Sequence, residues 1–332
     1  KMPAGGQVQQ PSDPASLTPH FRRWWCRGYR WTIMAAVSQV SLLVNPQAGG
    51  GRAGPASKAV VAYLRDLGVE TEVLAPTSPE GALEAARQVS AMGAGRLLVV
   101  GGDGLIRLAA SALAGGTTVL GVVAAGTGND AARALSLLDG SLEEQVQRAL
   151  ADPVPIDLVV GSGQPVVTSA VCGFPTTVNE RANRMRFPKG ASRYTLATLL
   201  EIPRMASAHY RLVLDGEALE IRAAAIVVAN TAYFGGGMRI CPEADPIDGL
   251  LDVCVIGDLG RLDLLRSLQQ VRTGRHVDHP KVAMYRAGVV GVEGVGTIRA
   301  DGEPLGDLPV VLRADPGALL VAGATTAAPG RG

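Results

Sequence analysis

Glycine-rich and acidic turns contain the residues of this sequence that are best suited to chemistry. The run Gly101-Gly102-Asp103-Gly104 follows four aliphatic residues, Leu97 to Val100, and precedes helically spaced residues from Leu105 to Leu113. A strand, a glycine-rich turn and a helix together direct backbone N–H groups and a positive helix end at a phosphate. Asp103 adds a carboxylate that suits a phosphate-bound cation. The pattern predicts phosphate binding, with a plain strand–helix turn as the alternative.

Two more glycine-rich turns follow apolar runs in the same way. Asn45 to Arg52 follows the strand-like run Val40 to Val44, and Gly126 to Asp130 lies between the strand-like run Thr117 to Ala124 and the helical pattern Ala131 to Leu137. Parallel strands place their carboxyl ends at one edge of a sheet, so three such turns predict a nucleotide or polyphosphate cleft there. The sequence has no Walker P-loop motif, and no G-x-G-x-x-G motif with a later ribose-binding acid follows the first strand, which disfavours those two binding classes.

Two acidic turns offer carboxylates for a metal ion and for proton transfer. The segment from Asp245 to Asp252 contains Asp245, Asp248 and a backbone carbonyl freed by Gly249, which together suit an oxygen-bound cation such as Mg²⁺. An ordinary acidic turn between strands is the alternative. Asp301-Gly302-Glu303 would supply a general base for a hydroxyl near the phosphates, whereas a hairpin tip is the simpler interpretation.

A basic segment from Arg181 to Arg193 is interleaved with apolar residues; its charged members are Arg181, Arg184, Arg186, Lys189 and Arg193. This mixture suits contact with an anionic membrane surface, although a solvated helix end is the simpler interpretation. Gly235-Gly236-Gly237 predicts either a loop at a cleft or a bulged strand edge. His276 and His279 lack the neighbouring ligands that a metal site requires.

The elements that position these turns predict an α/β-plus-β fold. Strands alternating with helices in the first half predict a doubly wound parallel sheet. From about Val154, strand-like runs predict a largely antiparallel second domain, with the active site in the cleft between the two; these runs are 156–160, 166–171, 210–214, 221–230 and 251–256. The expected division is a disordered tail or extension at 1–36, a nucleotide-binding domain at 37–153 and a β-rich second domain at 154–310. The C-terminal segment, 311–332, is expected to return to the first domain, although its apolar run Gly317 to Ala322 could also close the second.

Composition limits the classes of function. The chain has 332 residues, of which 47% are hydrophobic and 18% charged, as in a well-cored globular protein. A net charge of +1 gives no indication of nucleic-acid binding. The four cysteines are scattered and form no CxxC pair, which predicts reduced thiols in a cytosolic protein. No apolar run approaches the ~18 residues of a membrane span.

Taken in order, these motifs resemble the bacterial soluble diacylglycerol kinases, within the wider lipid kinase superfamily that includes sphingosine and ceramide kinases. The resemblance covers roughly Ser41 to Val321. Each motif alone is weak, and the ordered series is specific. The series comprises Asn45-Pro46 with Gly49, Gly101-Gly102-Asp103-Gly104, Gly126-Thr127-Gly128-Asn129-Asp130-Ala131-Ala132-Arg133, Asn230 with Gly235-Gly236-Gly237, Pro242-Glu243-Ala244, Asp248-Gly249-Leu250-Leu251-Asp252 and Asp301-Gly302-Glu303.

The resemblance implies ATP-dependent phosphorylation of a lipid hydroxyl with Mg²⁺, and diacylglycerol as the acceptor in phospholipid metabolism. The implied structural Mg²⁺ site falls on Asp245, Asp248 and the carbonyl of Leu250, and the implied general base is Asp301 or Glu303. The resemblance also ties Asp103 and Asp130 to nucleotide and catalytic Mg²⁺ handling. The implied nucleotide-site positions are Asn45, Pro46, Gln47, Ala48, Gly49, Thr77, Gly101, Gly102, Asp103, Gly104, Leu105, Ile106, Arg107, Thr127, Asn129 and Asp130.

Three departures from the family follow the Gly101-Gly102-Asp103-Gly104 turn. Such kinases usually continue GGDG with Thr and then with Asn and Glu, where this chain has Leu105, Arg107 and Leu108. The alternatives are a kinase of another lipid alcohol such as a sphingoid base, an NAD-type kinase, which the missing Asn-Glu pair disfavours, and a degenerate kinase that binds lipid or nucleotide without turnover. The resemblance further implies a cytoplasmic protein that docks reversibly on the inner face of the membrane. It also allows a homodimer, for which no residue pattern gives support.

Overall fold

The computed structural model describes residues 37–45, 48–93, 95–185, 187, 196–198, 200–202, 206–260, 263 and 269–325. The expected tail at 1–36 lies outside these residues, as do Pro46 and Gln47. The helices are α1 (Ala53–Asp66), α2 (Pro79–Ala91), α3 (Asp103–Leu113), α4 (Asp130–Ala134), α5 (Leu142–Leu150) and α6 (Phe174–Arg184), with a four-residue helical turn at Ala48–Gly51 and a 3₁₀ turn at Arg275–Asp278.

The strands are β1 (Gln39–Val44), β2 (Glu70–Leu74), β3 (Arg96–Gly101), β4 (Val119–Ala124), β5 (Pro153–Gly161), β6 (Gln164–Val166), β7 (Ser169–Gly173), β8 (Ala208–Leu214), β9 (Glu217–Ala229), β10 (Tyr233–Phe234), β11 (Met238–Arg239), β12 (Leu251–Gly257), β13 (Val282–Ala287), β14 (Val289–Gly294), β15 (Thr297–Ala300), β16 (Glu303–Asp307) and β17 (Val310–Ala322).

The first half of the chain forms the predicted parallel sheet, with its strands in the order β2-β1-β3-β4. Alternate residues of β3 face opposite sides, because successive side chains in a strand point to opposite faces. Leu97 and Val99 pack with α2 and α3, whereas Leu98 and Val100 pack with α1 and α5. Helices on both faces explain why these strands are uniformly apolar. The doubly wound part of the predicted fold class is confirmed.

The second half is antiparallel, as predicted, and continues the same hydrogen-bonded sheet. Its strands follow in the order β16-β15-β7-β9-β8-β14-β17, and β12 pairs with both β9 and β13. The last strand connects the two halves: β17 is antiparallel to β14 and β5, and its Val321 then pairs with Leu120 of the parallel strand β4. The final apolar run therefore lies beside the first half of the chain. The domain boundaries given above stay predictions.

One predicted strand is divided and one predicted helix ends early, whereas other predicted strands differ from the observed ones only by shifts of up to four residues at their ends. The expected strand from Val166 to Val171 is divided into β6 and β7, because the backbone N–H groups of Val167 and Thr168 donate to the side chain of Asp301 and not to a neighbouring strand. The expected helix from Ala131 to Leu137 ends at Ala134. Ser136 has a φ of 56° and the N–H of Leu137 donates to the carbonyl of Ala132, which closes the helix with a left-handed turn.

Three of the four cysteines lie in the described part of the chain. Cys172, Cys241 and Cys254 are free and buried, as their scattered positions predict, and Cys26 lies outside the described residues. No helix within the described ranges is long and apolar enough to cross a bilayer.

Candidate functional site

Three glycine-rich turns meet at the carboxyl ends of β1, β3 and β4, where the sequence predicts a cleft. Arg52 joins the first turn to the third, because its Nε donates to the carbonyl of Gly49 at 2.9 Å and its Nη2 to the carbonyl of Gly126 at 2.9 Å. The turns pack too closely for side chains at some positions. A Cβ atom on Gly49 would lie 2.1 Å from the carbonyl oxygen of Ala125, and one on Gly126 would lie 2.4 Å from the Cα of Gly102.

Asp103 of the second turn orders the third turn. Its Oδ2 accepts a hydrogen bond from the backbone N–H of Asn129 at 2.6 Å, and its Oδ1 accepts one from Ala131 at 3.2 Å. The carboxylate thus accepts hydrogen bonds from N–H groups at the start of α4 that have no partner within the helix. The positive end of the helix favours the negative charge of this carboxylate. Burial, followed by the negative charge of Asp130, nevertheless raises the pKa of Asp103 to about 6. The carboxylate therefore lies where negative charge is costly without a cation nearby.

Asp130 connects the third turn to the Gly235-Gly236-Gly237 run, which forms the tip of the small β10–β11 hairpin. Its two carboxylate oxygens accept hydrogen bonds from the backbone N–H groups of Gly236 at 2.7 Å and Gly237 at 2.6 Å. All three glycines have positive φ angles of 62°, 90° and 95°, which other residues rarely adopt. Burial raises the pKa of Asp130, while these N–H groups and Arg133 oppose that shift. The glycine run is thus a loop held against the turns.

The structure separates the two acids of the Asp301-Gly302-Glu303 turn. Asp301 accepts hydrogen bonds from the backbone N–H groups of Val167 and Thr168, each at 2.8 Å, and from the hydroxyl of Thr168 at 2.6 Å. The turn is the tip of the β15–β16 hairpin, as its simpler interpretation predicts. Asp301 lines the cavity described next, whereas Glu303 is exposed and does not line it.

A cavity of about 470 Å³ lies between these turns and the antiparallel strands. Its polar lining comes mainly from the turns, and includes Asp103, Arg107, Thr127, Gly128, Asp130, Thr168, Ser169, Asn179, Arg299 and Asp301. Its apolar lining comes mainly from β7, α6, β9, β12 and β13, and includes Val171, Phe174, Val178, Ala224, Ala225, Met238, Ile240, Ile256, Leu259, Val271 and Val282. The cavity therefore offers contacts both for an anionic group and for a hydrocarbon chain.

The remaining predicted nucleotide positions lie at the cleft edge or in the core. Asn45, Ala48 and Gly49 follow β1, and Thr77 is exposed just before α2; none of them lines the cavity. The side chain of Leu105 is buried against Gly101, where an added Cβ would lie 2.8 Å from its Cδ2.

The three departures from the family therefore differ in their consequences. Leu105 is buried in the hydrophobic core, and Leu108 packs partly buried against the same core. Ile106 and Arg107 line the cavity beside Asp103. Of the three departures, only Arg107 changes the chemistry of the cavity.

The predicted metal turn lies apart from the cavity. Asp248 accepts a hydrogen bond from the N–H of Leu250 at 3.0 Å and forms an ion pair with Arg286. Asp252 is 3% exposed, and burial, followed by the charges of neighbouring acidic residues, raises its pKa to about 6 against the opposing effect of Arg286. In the described ranges no three His, Cys, Asp or Glu side chains form a complete metal site by themselves. The predicted site would draw on two carboxylates and a carbonyl.

Asp157 is a positioning residue that the sequence analysis did not find. This 2%-exposed carboxylate accepts hydrogen bonds from the N–H groups of Gly249 at 2.7 Å and Gly317 at 2.8 Å, and its own N–H donates to the carbonyl of Pro246 at 2.6 Å. It therefore holds the acidic turn against β17. The available signal was a single acid within the apolar run from Ile156 to Val160, because a buried charge requires partners.

The basic segment is only partly described. Arg181 forms an ion pair with Glu201, and Arg184 lies 3.9 Å from Glu180 with its own side chain 83% exposed. Phe187 is 81% exposed, whereas Arg186, Lys189 and Arg193 lie outside the described residues. Arg184 and Phe187 thus present a cation and an aromatic ring to the surroundings, at and just after the end of a helix that lines the cavity.

His276, for which the sequence offers no neighbouring metal ligands, is buried and lines the cavity. Its Nε2 donates to the carbonyl of Ile240 at 2.9 Å, and burial lowers its pKa. A neutral ring with one satisfied N–H fits a core histidine.

Known proteins resemble both halves of the chain. Residues 39–160 match the diacylglycerol kinase catalytic domain, and residues 168–323 match the YegS C-terminal NAD kinase beta sandwich-like domain. A protein of Mycobacterium tuberculosis named diacylglycerol kinase is 36% identical over 299 residues, which are 86% of this chain and 95% of that protein. A Pseudomonas aeruginosa protein named "Probable lipid kinase YegS-like" is 30% identical over 271 residues, 80% of this chain and 88% of its own length.

The fold has a solved counterpart. The crystal structure of a diacylglycerol kinase from Bacillus anthracis str. Sterne superposes with a TM-score of 0.68 at 18% identity, covering 88% of this chain and 98% of that one. At this identity the superposition supports the fold, while the family rests on the matched sequence of both halves. The chain belongs to the diacylglycerol kinase family and is a lipid kinase.

Proposed function

We propose that this lipid kinase transfers the γ-phosphoryl group of ATP to the hydroxyl group of diacylglycerol and so produces phosphatidic acid. The observation that carries the proposal is one cavity of about 470 Å³ that combines the second and third glycine turns, the Asp301 carboxylate and an apolar lining. Phosphates at the turns and an acyl chain against the apolar residues would bring the hydroxyl and the γ-phosphorus together. Such positioning supplies much of the rate enhancement in phosphoryl transfer.

Asp301 is our candidate for the general base. The hydroxyl oxygen of the lipid attacks the γ-phosphorus, an oxygen–phosphorus bond forms, and the bond from that phosphorus to the bridging oxygen breaks so that ADP leaves. The hydroxyl proton passes to the carboxylate of Asp301. Hydrogen bonds from Val167 and Thr168 fix the orientation of this carboxylate, which still has lone pairs to accept the proton.

Asp245, Asp248 and the carbonyl of Leu250 are our candidates for binding Mg²⁺. The residues fit a hard cation, because the donors are all oxygen atoms and because burial, followed by the charges of the crowded acidic residues, raises the pKa of Asp252. When bound, the cation would supply positive charge that offsets this repulsion. Asp157 holds the turn through Gly249 and so orients the candidate ligands.

We further propose that the protein is cytoplasmic and contacts the membrane reversibly through the segment that contains Arg184 and Phe187. Both side chains are more than 80% exposed, and helix α6, which ends at Arg184, supplies Phe174 and Val178 to the cavity. An anionic surface suits this combination of cation and aromatic ring. Pelleting with vesicles that contain anionic lipids tests the contact: R184Q/F187S should reduce pelleting, and R65Q on α1 should not. Equal pelleting by both variants would refute the proposed segment.

Transfer of label from [γ-³²P]ATP to a panel of lipid alcohols in mixed micelles tests the reaction. The panel contains diacylglycerol, monoacylglycerol, a sphingoid base and ceramide, and label is expected in phosphatidic acid. Asp301→Asn should lower kcat by about 10²–10⁴-fold, the usual contribution of a general base, whereas the exposed Glu303→Gln should retain activity. Preferential labelling of another lipid in the panel would identify that lipid, and not diacylglycerol, as the acceptor. No labelled lipid at all would refute the proposal in favour of a binding protein without turnover.

A further inference from the structure

Arg107 is a cation in the cavity with no acceptor for its buried Nε. It shares one face of α3 with Asp103 and Ile106, since residues three and four positions apart are neighbours on a helix. All three side chains line the cavity, and Arg107 is half-buried. Its Nε is fully buried and makes no hydrogen bond within the described part of the chain. This nitrogen has lost its hydration without gaining a partner among the described residues.

Arg299 brings a second cation to the same cavity from the other half of the chain. On β15 its neighbours Ile298 and Ala300 are buried in the core, so the alternation of a strand places Arg299 on the opposite face, across from Val171 of β7. Arg299 and Val171 both line the cavity. The Nη2 of Arg299 donates to the carbonyl of Gly302 at 2.8 Å, while its Nε is buried and has no acceptor within the described residues.

The carboxylates of the cavity do not form ion pairs with these two arginines in the described structure. Asp103, Asp130 and Asp301 each use both oxygens to accept backbone N–H groups from other loops. An unmade hydrogen bond of a buried charged group is costly, so two guanidinium groups that each have an unused Nε donor favour an anionic ligand in the cavity that both of them line. Phosphate oxygens match the planar fork of arginine, which binds them in bidentate fashion.

We propose that Arg107 and Arg299 bind the phosphoryl group that is transferred, one from each half of the chain. The inference rests on the proposed kinase reaction and adds a two-arginine site to it. While the lipid oxygen forms its bond to phosphorus and the bond to ADP breaks, the three non-bridging oxygens of the phosphoryl group carry negative charge. Donors fixed around those oxygens stabilise the transition state.

Nucleotide binding without lipid gives the first test, because it does not depend on the acceptor. Isothermal titration with ATP and with ADP compares the full chain with Arg107→Gln, Arg299→Gln and the double variant. Wild type should prefer ATP, and each single variant should lower the ATP-to-ADP affinity ratio about tenfold, as expected for one charged hydrogen bond. Arg107→Lys and Arg299→Lys should restore part of the ratio. R65Q, at a side chain 79% exposed on α1, should leave it unchanged. Thermal unfolding of every variant shows whether it is folded.

Kinetics and product binding give the second test. In the transfer assay the glutamine variants should lower kcat more than they change KM for the lipid. An unchanged ATP-to-ADP ratio in both folded glutamine variants would overturn the proposal, as would a wild type that does not discriminate between the nucleotides. If the variants lost only their affinity for phosphatidic acid, the arginines would bind the product phosphate and the assignment to the transferred group would be wrong. An arginine-dependent preference for ATP without phosphorylation of diacylglycerol would retain the two-arginine site and refute the proposed acceptor.

Discussion

Gly104 and Gly126 form a matched pair for substitution by alanine, because the space around them differs. A Cβ atom on Gly104 would meet no heavy atom within 4 Å, and this exposed glycine is the second residue of α3. A Cβ atom on Gly126 would lie 2.4 Å from the Cα of Gly102 and 2.5 Å from the Oδ1 of Asn129. The first substitution adds a methyl group to open space, whereas the second forces two turns apart.

The expected effects on stability have opposite signs. Gly104→Ala should stabilise the protein by about 0.5–1 kcal/mol, because alanine loses less backbone entropy in a helix. In a chain of this size the gain corresponds to a rise of about 1–3 °C in Tm. Gly126→Ala should cost about 1–3 kcal/mol, the usual range for an added methyl group in packed surroundings.

The expected effect of Gly104→Ala on ATP affinity is opposite in sign to its effect on stability. The open space beside Gly104 is where a phosphate would approach the start of α3, so the more stable G104A variant should bind ATP about tenfold more weakly, a loss of about 1.4 kcal/mol. Scanning calorimetry without nucleotide and isothermal titration with ATP measure the two effects separately. Unchanged ATP affinity in a stabilised G104A variant would refute phosphate binding at this turn. A G126A variant as stable as wild type would refute the close packing of the two turns.

Three further predictions concern residues that hold the turns. Asp157→Asn leaves the N–H of Gly249 or Gly317 without an acceptor and should cost about 1–3 kcal/mol in urea denaturation; an unchanged midpoint would contradict the role of Asp157. The pKa of Asp252 is raised from 3.8 to about 6, so its contribution to stability is present below about pH 4 and is lost as the pH rises through 6. In EDTA, Asp252→Asn should match wild type near pH 4 and exceed it by as much as about 3 kcal/mol at pH 7; parallel pH profiles of the two proteins would refute this. Arg52→Ala removes the link between the first and third turns, and in titration calorimetry it should lower the free energy of ATP binding by more than it lowers the free energy of unfolding. A fall in Tm with unchanged ATP binding would assign Arg52 a purely structural role.

Local patterns in the sequence were sufficient to predict the framework. The uniformly apolar runs ending at Val44, Val100 and Ala124 predict buried parallel strands, because both of their faces must be covered by helices. Glycine-rich turns at the ends of these runs predict an anion-binding edge, and the structure brings the three turns into contact there. The two acidic turns could be identified because Asp and Gly favour turns for reasons local to the backbone.

The sequence could not predict interactions between distant residues. Val167 and Thr168 resemble the continuation of a strand until Asp301, more than 130 residues later, accepts their N–H groups. The same contact distinguishes Asp301, which lines the cavity, from exposed Glu303, although both belong to one motif. Asp157 contacts glycines 92 and 160 residues away, so a single acid in an apolar strand gave no information about its partners.

The sequence by itself determined the class of the sheet, the positions of the phosphate-type turns and the family, because each depends on residue types and spacing within short segments. Only the tertiary structure decided which side chains face the cavity, since that depends on the rotation of each element against its neighbours. Leu105 and Arg107 illustrate the difference, being two residues apart on one helix. One is buried in the core and the other lines the cavity, because 3.6 residues per turn place them on different faces.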